Sequence, residues 1–194
     1  MTKTILLISL TLMMCQSTFS QDSYLKNRWN IKLAYSRFPS GTTRYSGHSR
    51  EMEKIGHLRL ETHYGLFNFM EGGIFLGYCK YETLVLQSDS TYLGPVDASA
   101  VFYGLSTNFH LLPLLVDGDD FRFDAYLSVK LGGQYLSSPE NSLLESGNTF
   151  EYFIGPGLSF YISKHIGIFG EWGYYDNRFS SEWNSLRYGI SVKF

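Results

Sequence analysis

The sequence predicts an all-β chain that folds as an eight-stranded antiparallel up-and-down transmembrane β-barrel. Three observations carry this reading. Apolar and polar residues alternate with period 2, the strand period, in eight separate segments. Most of these segments run about nine to twelve residues, the length at which a tilted strand crosses a bilayer. Their connections alternate between long and short, as in transmembrane barrels, whose outward loops are long and periplasmic turns short.

A targeting segment precedes the strands. Lys3 supplies a positive start, and Ile5–Met14 an apolar run of ten residues. Thr18 and Ser20 place small residues at −3 and −1 of a cut before Gln21. The expected division is a signal peptide over residues 1–20 and one barrel domain over residues 21–194. Ten apolar residues fall short of the roughly 20 that span a membrane as a helix, so an anchor is disfavoured. A lipoprotein would acylate Cys15, but Met14 stands where such signals usually carry a small residue. Without the signal the chain has 15 basic and 18 acidic residues, a balance of −3. That argues against a nucleic-acid binder, which shows a basic surplus. Cys79 is then alone, which excludes an intramolecular disulfide framework. Aromatics reach 17% while charged residues stop at 18%, which argues against disorder.

The first segment sets Trp29, Ile31, Leu33 and Tyr35 on one face, with Asn30, Lys32, Ala34 and Ser36 on the other. The second sets Leu58, Leu60, Thr62, Tyr64 and Leu66 against Arg59, Glu61, His63 and Gly65. The third runs from about Gly72 to Tyr81. Its apolar set is Ile74, Leu76 and Tyr78, although Phe75 falls on the other face. The fourth places Val101, Tyr103, Leu105, Phe109 and Leu111 opposite Ala100, Gly104, Ser106, Asn108 and His110. The fifth has the cleanest alternation: Phe121, Phe123, Ala125, Leu127, Val129 and Leu131 against Arg122, Asp124, Tyr126, Ser128 and Lys130. The sixth opposes Tyr152, Ile154, Leu158, Phe160 and Ile162 to Glu151, Gly155, Gly157 and Ser159. The seventh opposes Ile166, Ile168, Trp172 and Tyr174 to Gly167, Glu171 and Gly173. The last opposes Leu186, Tyr188, Ile190, Val192 and Phe194 to Arg187, Gly189, Ser191 and Lys193.

Long polar connections are expected at 38–56, 82–97, 137–149 and 176–185, and short ones at 67–71, 113–120 and 163–165. Four of the five prolines fall in connections. Pro156 falls within the sixth strand, where it removes a ladder hydrogen bond and predicts a bulge or kink.

Alternation alone does not separate a membrane barrel from a secreted soluble, lipocalin-like binding barrel, because only the facing is inverted. Aromatics favour the membrane. Trp29, Tyr64, Phe109, Phe121, Phe123 and Phe160 gather at one end of the apolar faces, and Tyr35, Tyr78, Tyr103, Tyr152, Trp172, Tyr174 and Tyr188 at the other. Two girdles of this kind mark two lipid–water interfaces. The polar faces mix charge with Gly, Ser and Ala, as the inside of a narrow barrel does, and the chain ends in an aromatic on the apolar face.

The segments FDAYLSVKLGGQYL, FIGPGLSFYISKHIGIFGEWGYY and LRYGISVKF resemble the small outer-membrane β-barrel proteins of Gram-negative bacteria. The type is the eight-stranded OmpA/OmpX-like barrel, with a Bacteroidota-like character. The resemblance covers about Trp29 to Phe194. It implies a location in the cell outer membrane among lipid and lipopolysaccharide. It also implies insertion by the outer-membrane assembly machinery, which reads a C-terminal aromatic such as Phe194, and a monomer. It implies no single activity, because members include structural, adhesive and enzymatic barrels.

The predicted polar face carries Lys32, Arg59, Arg122, Lys130, Arg187 and Lys193 with Glu61, Glu71, Asp124, Glu151 and Glu171. Eight strands leave room for side chains rather than for a wide channel. The expected arrangement is therefore a charge network that plugs the lumen, with Arg59, Glu61, Asp124, Lys130, Glu151 and Glu171 among its members. The alternative is an ion-conducting or catalytic lumen. No catalytic, cofactor-binding or metal residue is predicted. His48, His57, His63, His110 and His165 are scattered. Arg59, Glu61 and His63 share a face, but no second His or Cys stands near them, so His63 reads as a packed interior histidine. The enzymatic alternative is lipid A modification. The deacylase kind pairs His and Ser two apart, and no His-x-Ser occurs. The palmitoyl-transferring kind uses outward-loop His, Asp and Ser, which His48, Asp89 and Ser90 only loosely imitate. Cys79 reads as an inert wall residue. The long loops suit surface recognition or a plain hydrophilic cap, and the sequence does not choose between them.

Overall fold

The computed structural model describes residues 25–37, 41–45, 48–52, 54–86, 92–115, 122–139, 146–177 and 180–194. The predicted signal segment and its Cys15, Phe121, and the Asp89–Ser90 pair lie outside them. The strands are β1 (Trp29–Arg37), β2 (Gly41–Tyr45), β3 (His48–Met52), β4 (Lys54–Phe67), β5 (Met70–Leu86), β6 (Tyr92–His110), β7 (Phe123–Ser137), β8 (Gly147–Tyr161), β9 (Ile166–Asn177) and β10 (Ser180–Lys193). One helical turn, α1 (Leu112–Leu115), follows β6.

Eight strands close a barrel in the order β1-β4-β5-β6-β7-β8-β9-β10, each antiparallel to its neighbours. The remaining two, β2 and β3, form a separate two-stranded sheet within the first long connection. The seam pairs β1 with β10 from Asn30↔Lys193 to Arg37↔Leu186. It ends where Trp29 N donates to Phe194 O at 2.8 Å and Phe194 N to Trp29 O at 2.9 Å. This up-and-down ring leaves no unpaired edge to satisfy in lipid.

Period 2 sends one face of every strand outward, and that face is apolar. Leu105 and Ile74 are 65% and 62% exposed, whereas Glu61, Asp124 and Arg187 are fully buried. This facing inverts that of a soluble barrel and sets the lipocalin-like alternative aside. Phe75, the exception to the third segment's pattern, points inward and is buried, while Ile74, Leu76 and Tyr78 are exposed. The outward aromatics pair across strands: Trp29 with Tyr64 at 5.1 Å between ring centroids, Tyr35 with Tyr188 at 5.7 Å, and Tyr152 with Tyr174 at 5.7 Å.

The strands run farther than the hydrophobic pattern predicts. β5 and β6 have 17 and 19 residues and stay paired as far as Leu86↔Tyr92, so most of the 82–97 connection is ladder. β7 pairs β8 out to Leu136↔Gly147, and β9 pairs β10 to Asn177↔Ser180, with a register shift between Glu182 and Ser185. The connection expected at 113–120 begins with the helical turn α1.

Pro156 is a second correction, because the strand has no bulge there. The β8–β9 ladder omits Gly155 and Pro156, but Ile154↔Tyr174 and Gly157↔Glu171 keep the same register on either side. Gly155 and Gly173 allow this. A methyl on either would meet the other's Cα at 2.6 Å and a carbonyl oxygen of the facing strand closer still. The two backbones approach where the hydrogen bond is missing, and the register runs on without a shift.

The turn end is covered by a segment that the strand pattern does not reveal. Leu25 is buried, and Arg28 N bonds to its carbonyl at 3.0 Å. Asn27 takes φ 65°, which asparagine tolerates, and its N–H bonds to Gly65 O at 2.9 Å. Gly65 is required there because any Cβ would strike the Leu25 carbonyl.

Candidate functional site

The candidate site is the barrel interior. The i, i+2 spacing of strand residues delivers its side chains: Arg59, Glu61 and His63 from β4, Ser106, Asn108 and His110 from β6, Asp124, Tyr126 and Lys130 from β7, Arg187, Ser191 and Lys193 from β10. Among the described residues, five basic and five acidic side chains are buried: Lys32, Arg59, Lys130, Arg187 and Lys193 against Glu61, Glu71, Asp124, Glu151 and Glu171. Arg122, counted inward by parity, is not among them. β7 begins one residue later, so Arg122 lies on a bend and is exposed.

Contacts sort the interior into three clusters. Toward the turn end, Glu71 accepts from Asn108 at 2.6 Å and from Asn30 at 3.2 Å, and Ser191 donates to Asn30 at 2.7 Å. His110 lies between two carboxylates, with Nδ1 2.7 Å from Asp124 Oδ2 and Nε2 3.5 Å from Glu71 Oε1. Lys193 Nζ sits 4.2 Å over the Tyr161 ring.

In the middle, Lys130 bridges two carboxylates, at 2.5 Å to Glu61 and 3.2 Å to Glu171. Lys32 lies 3.6 Å from Glu71 and 3.8 Å from Glu171, and 4.3 Å over the Tyr126 ring. The Tyr126 hydroxyl donates to Glu171 at 3.2 Å.

On the loop side, Arg59 pairs with Glu151 at 2.9 Å, and Tyr175 donates to the other Glu151 oxygen at 2.8 Å. The Arg59 guanidinium lies 4.2 Å over Phe75, and that of Arg187 4.1 Å over Phe153. Beyond them an apolar cluster of Phe75, Cys79, Ala98, Ala100, Phe102 and Leu136 fills the interior.

The six named network residues are therefore all interior. Arg59 meets Glu151, Lys130 meets both Glu61 and Glu171, and Asp124 meets none of the other five but His110 instead. Sequence reasoning missed the structural part played by His110, Asn30 and Asn108. Their place on the polar faces of the first and fourth segments was the available signal.

The arrangement nearest to nucleophilic chemistry is Ser106 Oγ, 2.8 Å from His63 Nε2. It lacks the element that orients such a pair. His63 Nδ1 makes no hydrogen bond, and Glu61 approaches Nε2 at 3.8 Å instead. Both side chains are buried in the lumen, away from the outer wall. No group of three His, Cys, Asp or Glu suited to a metal ion occurs among the described residues.

No protein-family model matches the sequence. A search of curated proteins likewise returns no match. Solved structures do match. The fold is similar to the N-terminal β-barrel domain of OprF from Pseudomonas aeruginosa, at 15% identity and a TM-score of 0.57, over 87% of this chain and 98% of that one. It is also similar to the outer membrane protein OprG of the same species, at 10% identity and a TM-score of 0.54, over 89% and 98% of the two chains. The fold is that of the small outer-membrane β-barrels.

Proposed function

We propose that the chain is an integral outer-membrane barrel whose role is structural or one of surface interaction, and whose lumen is closed to general solute flow. The observation that carries this reading is the facing: an exposed apolar wall around a charge-balanced, buried interior. An apolar wall of this extent is stable only in lipid. Paired charges and stacked aromatics occupy the space that a channel needs. The protein is expected to fractionate with the outer membrane, as a monomer surrounded by lipid and lipopolysaccharide. Its unboiled form is expected to migrate differently from its boiled form on a gel. Reconstituted in a planar bilayer, it is expected to show no large, stable, nonselective conductance steps. Such steps from the unmutated protein would show an open lumen.

The chain is not an enzyme in this reading, since its Ser106–His63 pair lacks an orienting carboxylate and faces inward. Lipid A mass spectra are expected to be the same with and without expression. A reproducible gain or loss of an acyl chain would instead place the protein among the lipid A-modifying barrels.

Phe194 acts as an assembly signal for the insertion machinery. Its backbone closes the seam with Trp29, while its side chain is only half-buried, so folded stability depends little on the ring. Deleting Phe194 is expected to lower outer-membrane levels and leave protein in the periplasm. Unchanged assembly would remove this role.

A further inference from the structure

The loop-side cluster of the interior holds more cationic than anionic side chains of its own. Its ionic groups are Arg59, Arg187 and Glu151, and Glu151 is bound to Arg59 at 2.9 Å. The next carboxylates, Glu61 and Glu171, are taken by Lys130 at 2.5 and 3.2 Å. Arg187 is fully buried, and none of its three guanidinium nitrogens has a hydrogen-bond partner. Nε and Nη1 of Arg59 are likewise unpartnered. The like charge of Arg59 acts on Arg187 against the carboxylates of Glu171, Glu61 and Glu151.

Aromatic stacking accounts for the flat faces of these groups, because Arg59 lies over Phe75 and Arg187 over Phe153. It leaves the N–H edges unanswered. Those edges are the part of a guanidinium that recognises an anion. A buried charge without a bonded partner is strongly unfavourable, and the like charge of a neighbour adds to the cost. We propose that Arg59 and Arg187 form a buried binding site for one small inorganic anion, held by their free N–H edges. The class is set by charge and burial. Within the cluster two cations stand against the one carboxylate of Glu151, and the buried rings of Phe75, Phe102 and Phe153 lie against the guanidinium faces.

The test uses the full barrel, purified in detergent, with bromide as the probe. Thermal unfolding is followed at rising sodium bromide, with sodium gluconate at matched ionic strength as the reference. The unmutated protein is expected to gain several degrees in bromide over gluconate. Arg187→Gln is expected to lose that difference. Equal behaviour in the two salts, or a bromide effect that survives in Arg187→Gln, would overturn the site. If Arg187→Gln fails to fold, crystals of the unmutated protein grown in bromide decide the matter. An anomalous peak within hydrogen-bond reach of both guanidinium groups supports the site, and a map without one rejects it.

Discussion

Replacing Glu171 with alanine is expected to destabilise the folded barrel by about 3–5 kcal/mol, the cost of removing one partner from a buried ionic pair. Glu171 serves three groups at once: Lys130 at 3.2 Å, Lys32 at 3.8 Å and the Tyr126 hydroxyl at 3.2 Å. Its loss leaves the middle cluster with two lysines and Glu61, where two carboxylates had balanced them. Glu171→Gln keeps an acceptor for Tyr126 and loses the charge, so it should fall between the alanine variant and the unmutated protein. Adding Lys130→Met to Glu171→Ala is expected to recover part of the loss, because a cation is then removed with its partner. Urea unfolding in lipid vesicles, read from gel mobility, measures each value. A loss for Glu171→Ala below roughly 1 kcal/mol, the range of exposed pairs, would mean that the interior is hydrated like a surface.

The second large effect is expected at Gly173. An added methyl there meets the Cα of Gly155 at 2.6 Å and the Ile154 carbonyl carbon at 2.9 Å, all of it backbone that cannot rotate away. Overpacking usually costs about 1–3 kcal/mol, and a backbone clash in a closed ring belongs at or above the upper end. The ring spreads any separation of β8 from β9 to its other pairings. Gly170, three residues earlier on β9, provides the control. A methyl there meets only the Arg187 carbonyl oxygen, at 3.9 Å. Gly170→Ala is expected to be neutral or to stabilise by roughly 0.4–1 kcal/mol through the unfolded chain. Comparing the urea midpoints of Gly173→Ala and Gly170→Ala tests the close approach directly, and similar midpoints would refute it.

The facing of the strands was legible because lipid imposes it on every second residue. Leu58, Leu60, Ile168 and Ile190 announce the outer wall, and Glu61, Lys130 and Arg187 the inner one. Strand length was less legible. Where a strand leaves the bilayer the outward face no longer has to be apolar, so the sequence around Glu82, Thr83 and Asp97 stops alternating while the ladder continues through Glu82↔Asp97. Arg122 shows the limit of counting by parity, which assigns a face only where the chain is already extended. The partners inside the barrel were not legible at all. Arg59 and Glu151 are 92 residues apart, and Lys130 and Glu61 are 69. In a closed ring, which residues meet across the lumen depends on the stagger between strands, and no local pattern encodes the stagger. The turn of Leu25–Arg28 escaped because a single buried leucine ahead of a strand has no period to detect.

The seam also fixes an order in time. β1 and β10 come from opposite ends of the chain, and the Ser191–Asn30 bond joins residues 161 apart. Such a contact carries the largest loop-closure cost in the molecule and is expected to form last. Until it does, the charged face is the concave side of an open sheet, and Lys32 and Lys193 remain hydrated on two separate edges. Closing the ring takes all ten charges out of water in one step and completes their pairing in the same step. A half-closed barrel gains neither the hydration of the open sheet nor the pairing of the closed one. The chain is then expected to have no stable stopping point between an open sheet and a finished barrel, and its two edges stay open to other chains until the ends meet.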